Sequence, residues 1–212
     1  MDKLVDLHIL HKPRPFLEDW HKEKLEQTLK TLSEFPEIQV FEVTSVFQDS
    51  WNFLAARAEG YSLGTSRFVS NVGSDDDILH EGLEKLLACA SLKNGPKAIF
   101  SNSYVEYSNG ERKPLFTNKQ SLHVAHEIAL IDREVFNSVK EAWIRECREN
   151  TVYTYFDQIL YYLVSQQVSW EFLSGVFSYV WYKRAHGVHT KASREEFDYV
   201  FNHRLGESNV KA

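Results

Sequence analysis

Three consecutive acidic residues are the strongest chemical feature of the sequence. Asp75, Asp76 and Asp77 follow directly on the run RFVSNVGS at residues 67–74. Adjacent carboxylates repel each other, and a divalent cation such as Mn²⁺ or Mg²⁺ relieves this repulsion because it prefers hard oxygen ligands. The alternative is that the acids cap a following helix, where one carboxylate contributes about 0.3–1 kcal/mol. Since capping needs only one acid, the pattern favours a metal site.

A basic segment lies near the end of the sequence. The stretch YKRAHGVHTKASR at residues 182–194 collects six basic side chains: Lys183, Arg184, His186, His189, Lys191 and Arg194. Such a cluster is either an ordinary solvated surface or a surface that binds an anion. Because the rest of the chain is acidic, we favour the anion-binding interpretation.

Asp157 is a third candidate, since it precedes the apolar run QILYYLV. An acid at this place is commonly an N-cap that accepts a backbone hydrogen bond. A positioned carboxylate can equally take up a proton during a reaction. The sequence leaves both roles open.

Several classes of site have no counterpart in the sequence. It contains no Gly-rich Walker loop, no G-x-G-x-x-G and no nucleophile elbow, which argues against P-loop ATPases, Rossmann dehydrogenases and α/β-hydrolases. The stretch HVAHE at residues 123–127 leads into a strand-like run, whereas zincin motifs require a helix. We interpret it as structural.

The elements that would position these candidates alternate in the first half of the chain. Helical patterns separate four strand-like runs, at residues 4–10, 38–43, 67–72 and 97–102. This spacing predicts an α/β fold with a mostly parallel, twisted sheet and helices on both faces. Because ligands of such sheets bind beyond the carboxyl ends of the strands, the acidic triplet falls in a suitable place.

The second half is more mixed. Asn109 and Gly110 predict a hairpin within residues 104–116, and a further strand is expected at residues 126–131. A short apolar helix at residues 156–164, a late strand at 175–182 and a polar C-terminal segment complete the prediction. We find no linker or repeat, so we expect one domain over the whole chain.

Composition limits the possible environments. The chain has 212 residues, 43% of them hydrophobic, and a formal net charge of −6, so it provides no overall attraction for nucleic acid. A signal peptide and a membrane-spanning apolar run are both missing from the sequence, which predicts a cytoplasmic protein without a membrane span. Its two cysteines, Cys89 and Cys147, suggest neither a disulfide framework nor a zinc site.

The stretch RAEGYSLGTSRFVSNVGSDDDIL, from Arg57 onward, resembles the nucleotide-sugar-binding segment of GT-A glycosyltransferases, particularly those of family 2. HEIALIDREVF, TYFDQIL and YKRAHGVH are similar to later parts of these enzymes in the same order, and the resemblance covers roughly residues 4–190. It implies an enzyme that transfers a sugar from a nucleotide sugar, with a UDP-sugar as the favoured donor, to an acceptor hydroxyl with inversion. It further implies a nucleotide-sugar half at about 1–103 and an acceptor half at about 104–212.

The resemblance also implies roles for individual residues. Arg57 would organise the nucleotide pocket or the acidic turn. Asp75 and Asp77 form a literal D-x-D metal motif, whereas a second alignment puts Gly73 at the first acid and keeps Asp75 and Asp76. Asp75 is retained in both alignments.

In the same family, an acid near Asp157 is the general base that takes the proton of the acceptor hydroxyl. The usual motif has two acids, and here Phe156 occupies the earlier place. Lys183, Arg184 and His186 would contact the donor diphosphate, and His189 would complete the metal shell.

Some features depart from the family pattern. HKPRP and EVTS replace the usual turns after the first two strands. Recognition of the nucleobase of the donor would then fall to Lys12, Glu42 or Thr44. Alternative functions are a nucleotidyltransferase or phosphate-ester hydrolase with the same acids, or a non-catalytic relative that lost the first acid at Gly73. The acceptor is not predicted by a motif. A likeness to small phage-encoded members, some of which modify hydroxymethylated DNA bases, makes modified DNA one candidate.

Overall fold

One eight-stranded sheet organises the chain in the computed structural model, which describes residues 3–45, 50–117, 128–152, 155–183 and 194–204. The strands are β1 (Val5–His11), β2 (Ile38–Thr44), β3 (Phe68–Gly73), β4 (Asp77–Ile78), β5 (Ala98–Tyr107), β6 (Arg112–Leu115), β7 (Leu130–Asp132) and β8 (Glu171–Lys183). The helices are α1 (Asp19–Ser33), α2 (Ser50–Gly60), α3 (His80–Ala90), α4 (Arg133–Glu149), α5 (Phe156–Ser165) and α6 (Arg194–Phe197), which continues as a π-helix over Asp198–Arg204.

The strand order is β2-β1-β3-β7-β5-β8-β4, with β6 paired to β5. Neighbours pair in parallel at β1–β2, β1–β3 and β5–β8. β7 runs antiparallel to both β3 and β5, so these two strands point in the same direction. Five strands therefore share one direction, and the predicted α/β class is confirmed. The sheet is mixed, because four of the seven pairings among the described strands are antiparallel. The insertion of β7 between β3 and β5 is a finding that local patterns did not predict.

Helices cover both faces of the sheet. α1 and α3 pack on one face, where Val5, Leu7 and Ile9 of β1 join a fully buried core. α2, α4 and α5 pack on the other face around Trp143, which is also fully buried. β1 contributes to both cores, because successive residues of a strand point to opposite faces of the sheet. On the second face β1 presents His8.

The third helix begins later than the acidic triplet suggests. Asp77 and Ile78 form β4, which pairs antiparallel with Val180 and Tyr179 of β8. α3 then begins at His80, and its N-cap residue Leu79 makes no side-chain capping bond. The alternative that the aspartates cap this helix is therefore wrong, because strand pairing with β8 separates them from it.

The predicted hairpin is confirmed. Glu106 pairs with Arg112 across β5 and β6, and Gly110 in the turn has φ +81°, a conformation that favours glycine. β5 extends from Ala98 to Tyr107, so the two predicted halves of the chain share this strand. Among the described residues, no helix combines the length and apolar character that crossing a bilayer requires.

Candidate functional site

The acidic turn lies at the carboxyl-end edge of the parallel strands. Leu10 pairs with Gly73 at the end of β3, and His11 pairs with Thr44 at the end of β2. The turn of residues 74–76 follows Gly73 directly, so it lies at the edge where α/β sheets bind ligands.

Asp76 is buried, with 4% of its surface exposed, and it holds two other elements in place. Its carboxylate accepts a hydrogen bond from the backbone N–H of Tyr182 at 2.8 Å and another from the hydroxyl of Tyr179. Its backbone carbonyl accepts a hydrogen bond from the Thr28 hydroxyl of α1 at 3.0 Å. Asp76 therefore joins the end of β8 and the middle of α1 to the turn.

Asp77 forms an ion pair with Lys24 of α1. The Lys24 Nζ lies 2.8 Å and 2.9 Å from the two carboxylate oxygens, and the Tyr182 hydroxyl donates to the same carboxylate. Burial by itself would lower the pKa of Lys24, but its hydrogen bonds to Asp77 and Tyr182 raise that pKa above the ordinary value. The ammonium is thus held in its charged form on both oxygens of Asp77.

The three acids consequently differ in their surroundings. Asp75 and Asp77 are both partly exposed, and Asp76 is buried. Asp77 binds Lys24 of α1, and Asp76 binds residues of β8. A partly exposed carboxylate at Asp75 fits a divalent cation as one ligand. No group of three or more His, Cys, Asp or Glu side chains is arranged around a common metal position in the described ranges. A cation at Asp75 would therefore take further ligands from the donor or from other parts of the chain.

α1 supplies a second contact to the turn, which sequence patterns did not indicate. His21 Nε2 lies 2.8 Å from the Ser74 hydroxyl, and its ring stacks on Trp20 with 4.8 Å between centroids. The only signal in the sequence is the run WHKEK at the start of the helix. Its residues become relevant because α1 passes directly beside the turn.

Arg57 lies inside the protein, with 3% of its surface exposed, although an arginine on a helix is usually solvated. Its Nη1 is 3.5 Å from Nε2 of His8, and its guanidinium lies 5.4 Å from the centre of the Phe53 ring. Burial and then the Arg57 charge lower the pKa of His8 well below its usual value, so this histidine is neutral. Arg57 is thereby placed between α2 and β1, below the ligand-binding edge of the sheet.

Asp157 is the second residue of α5. The helix begins at Phe156 and its N-cap residue is Tyr155, so the interpretation of Asp157 as an N-cap is wrong. Asp157 is partly buried, and its Oδ1 accepts a hydrogen bond from the N–H of Gln158 at 2.9 Å. The carboxylate is thus oriented at the first turn of α5.

The C-terminal segment returns to this same helix start. Glu196 of α6 is buried and accepts a hydrogen bond from the backbone N–H of Tyr155 at 2.9 Å. Tyr182, at the other end of the connection, is bound to Asp76. Tyr182 is therefore held beside the acidic turn, and Glu196 is held at the start of α5.

The individual basic residues are described only in part. Lys183 is exposed at the end of β8, and its Nζ lies 5.9 Å from the centre of the Tyr107 ring. The predicted ligands Arg184, His186 and His189 lie outside the described residues.

A charged cluster occupies the ends of β1 and β2. Glu42 accepts one hydrogen bond from Arg14 at 2.8 Å, and His11 Nε2 lies 3.2 Å from the same carboxylate oxygen. Of the three residues suggested for base recognition, Glu42 is thus already bound to two basic side chains of the neighbouring loop and strand.

Solved structures of S. aureus TarS share this architecture. TarS 1–349 in complex with UDP-GlcNAc matches with a TM-score of 0.62 and 14% identity, over 90% of this chain and 61% of that one. The complex with UDP matches with a TM-score of 0.65 and 13% identity, over 99% of this chain and 66% of that one. The chain thus spans about three fifths to two thirds of the TarS fragment. No protein-family model and no curated protein sequence matches it.

At such low identity the likeness shows the fold. The chain has a GT-A-like fold, as its motifs predicted. The phage origin stays a prediction.

Proposed function

We propose that this chain, with its GT-A-like fold, transfers a sugar from a nucleotide-sugar donor to an acceptor hydroxyl. The observation that carries the proposal is the position of the acidic turn at the ligand-binding edge of the sheet. The hydrogen bond of Asp76 to Tyr182 and the ion pair of Asp77 with Lys24 fix the turn there. TarS, which shares the fold, was solved with UDP-GlcNAc and with UDP. A UDP-sugar is accordingly the donor that we propose here.

Asp75 is the residue that we assign to the donor diphosphate and its cation. A bound Mn²⁺ or Mg²⁺ would neutralise the charge of the leaving nucleoside diphosphate. Asp77 belongs to the D-x-D pair, but the Lys24 ammonium already lies on both of its oxygens. We therefore assign Asp77 to fixing the turn, and we keep His189 as the proposed second metal ligand. Lys183, Arg184 and His186 would contact the diphosphate with charge-assisted hydrogen bonds.

Asp157 is the proposed general base. The acceptor oxygen would attack the anomeric carbon on the face opposite the diphosphate, and the bond between this carbon and the phosphate oxygen would break. The proton of the acceptor hydroxyl would pass to the Asp157 carboxylate, and the sugar would be transferred with inversion. Supporting this assignment, the N–H of Gln158 donates to Asp157 Oδ1 at 2.9 Å and so orients the carboxylate at the start of α5.

A donor screen by mass spectrometry tests the proposal. The protein is incubated with UDP-, GDP-, CDP- and dTDP-sugars, with and without Mn²⁺, and the released nucleotide is recorded. Release of free UDP from one donor is the expected result. Pyrophosphate or inorganic phosphate would instead indicate a nucleotidyltransferase or a phosphate-ester hydrolase. Donor binding without any hydrolysis or transfer, even when a broad panel of acceptors is added with Mn²⁺, would indicate a non-catalytic relative.

A further inference from the structure

A cavity of about 400 Å³ is lined by the residues that follow the acidic turn in the chain. Its lining comes from β4 and the start of α3, including Ile78, His80 and Lys85, and from Tyr104 of β5 and Phe177 of β8. This volume is within the range of about 300–1,000 Å³ that is usual for small-molecule sites.

The covalent chain limits the distance between this cavity and the proposed reaction centre. Ile78 lines the cavity and follows Asp75 by only three residues. Three residues of extended chain span at most about 10 Å. The backbone at Ile78, where the lining begins, therefore lies within about 10 Å of the backbone at Asp75.

Aromatic rings form one wall of the cavity. The rings of Tyr104 and Phe177 stack with 4.3 Å between centroids, and Phe116, which is 66% exposed, lies 5.8 Å from Phe177. On the opposite side, α3 approaches β8 so closely that a Cβ atom at Gly82 would collide with the carbonyl oxygen of Phe177. This contact fixes the distance between the helix and the aromatic wall.

The charged groups at the cavity are balanced. Lys85 is paired with Glu81 at 2.6 Å, and His80 lies 3.4 Å from Glu34 of α1. The lining thus offers hydrogen-bond donors and acceptors but no net charge for a phosphate group. An aromatic wall combined with balanced polar groups suits a neutral polyhydroxylated ligand, whose apolar ring face stacks while its hydroxyls bond to the charged pairs.

We propose that this cavity binds a neutral saccharide unit of the acceptor. The inference rests on the proposed function, since it assigns the acceptor class of the same reaction. It favours a glycan over modified DNA, because a DNA backbone would bring phosphate charges to a lining without excess positive charge.

Direct binding tests the proposal without the need for turnover. Chitobiose, cellobiose, maltose and lactose are each titrated by saturation-transfer NMR, and a 12-nucleotide DNA with 5-hydroxymethylcytosine serves as the competing probe. At least one disaccharide is expected to bind. Tyr104→Ala, which removes the stacking wall, and Val176→Trp, which fills the cavity, should each raise its dissociation constant at least tenfold.

Tyr107→Ala is the matched control, because it removes an aromatic ring from the same strand outside the cavity lining. This variant should bind the disaccharide like the parent, and the two cavity variants should bind UDP unchanged. The proposal would be overturned if no disaccharide bound, or if the DNA alone bound. It would also be overturned if both cavity variants bound the disaccharide as tightly as the parent. Saccharide binding without nucleotide release from any donor would contradict the proposed function but keep the site. Nucleotide release from a donor, together with unchanged saccharide binding in the cavity variants, would support the proposed function and contradict the proposed site.

Discussion

The Asp76 carboxylate lies 2.8 Å from the backbone nitrogen of Tyr182. The same carboxylate binds the hydroxyl of Tyr179, so one buried acid holds two residues of β8 at the acidic turn. Its neighbour Asp77 binds Lys24 of α1. The second and third acids of the triplet therefore determine where the first one, Asp75, is placed.

Replacement of Asp76 should destabilise the protein. Asp76→Ala leaves the Tyr182 N–H and the Tyr179 hydroxyl without this acceptor, and a buried unsatisfied group costs about 1–3 kcal/mol. We expect the free energy of unfolding in urea to fall by about 2–4 kcal/mol. Asp75→Asn is the matched control and should stay within about 1 kcal/mol of the parent. A stable Asp76→Ala protein would contradict the assigned role.

Asp75→Asn should abolish sugar transfer. The amide cannot supply the negative charge that the proposed cation needs, although the turn itself is still held by Asp76 and Asp77. Binding of Mn²⁺ in the presence of UDP, followed by electron paramagnetic resonance, should weaken in parallel with the loss of transfer. Full activity of the parent in EDTA would refute the metal proposal.

Asp157→Asn should slow transfer by about 10²–10⁴-fold, because the amide cannot accept the proton of the acceptor hydroxyl. Donor affinity should not change, since the helix start is held by Tyr155 and Glu196. Donor titration and single-turnover rates on this variant separate the two effects. If the rate stays within a few-fold of the parent, the base lies elsewhere, with Glu127 as the next candidate. Asp132 is not suitable, because it pairs with Phe68 at the edge of the sheet opposite the acidic turn.

Acid should destabilise the fold through His8. Burial and the nearby Arg57 charge lower the pKa of His8 in the folded protein, whereas the unfolded chain takes up this proton near pH 6.5. The contribution of neutral His8 to the free energy of unfolding is therefore fully present above pH 6.5. It is lost as the pH falls below this value, by up to about 1.4 kcal/mol per pH unit. Unfolding titrations from pH 7 to 5 should show a smaller slope for His8→Gln. The exposed control His80→Gln should keep the slope of the parent.

Lys183→Gln should weaken donor binding if the basic segment contacts the diphosphate. Loss of one hydrogen bond to a charged group corresponds to about a tenfold higher dissociation constant for UDP. Lys93→Gln, an exposed substitution in the turn after α3, is the charge-matched control. Point substitutions are needed here because Val200 is fully buried in the core, so deletion of everything beyond Tyr182 would also damage the fold. Equal UDP affinity in both variants would show that Lys183 is only solvated.

The sequence predicted the elements better than their contacts. Short strand-like runs between helical patterns located the strands β1, β2 and β3, and Asn109–Gly110 located the hairpin, because these signals are local. The partners of the acidic triplet are not local: Lys24 is 53 residues from Asp77, and Tyr182 is 106 residues from Asp76. For the same reason, local capping rules placed the start of α3 too early. The burial of Arg57 likewise depends on His8, which belongs to another element.

The pairing of β4 with β8 also sets an order of events during folding. Ile78 meets Tyr179 about a hundred residues later in the chain. Contacts of such sequence separation form slowly, because the intervening loop must close before they stabilise anything. During synthesis, the first three strands can pair while β8 has yet to leave the ribosome. The acidic turn would then acquire its final shape among the last steps of folding, so a donor could stabilise the finished protein but not its early intermediates.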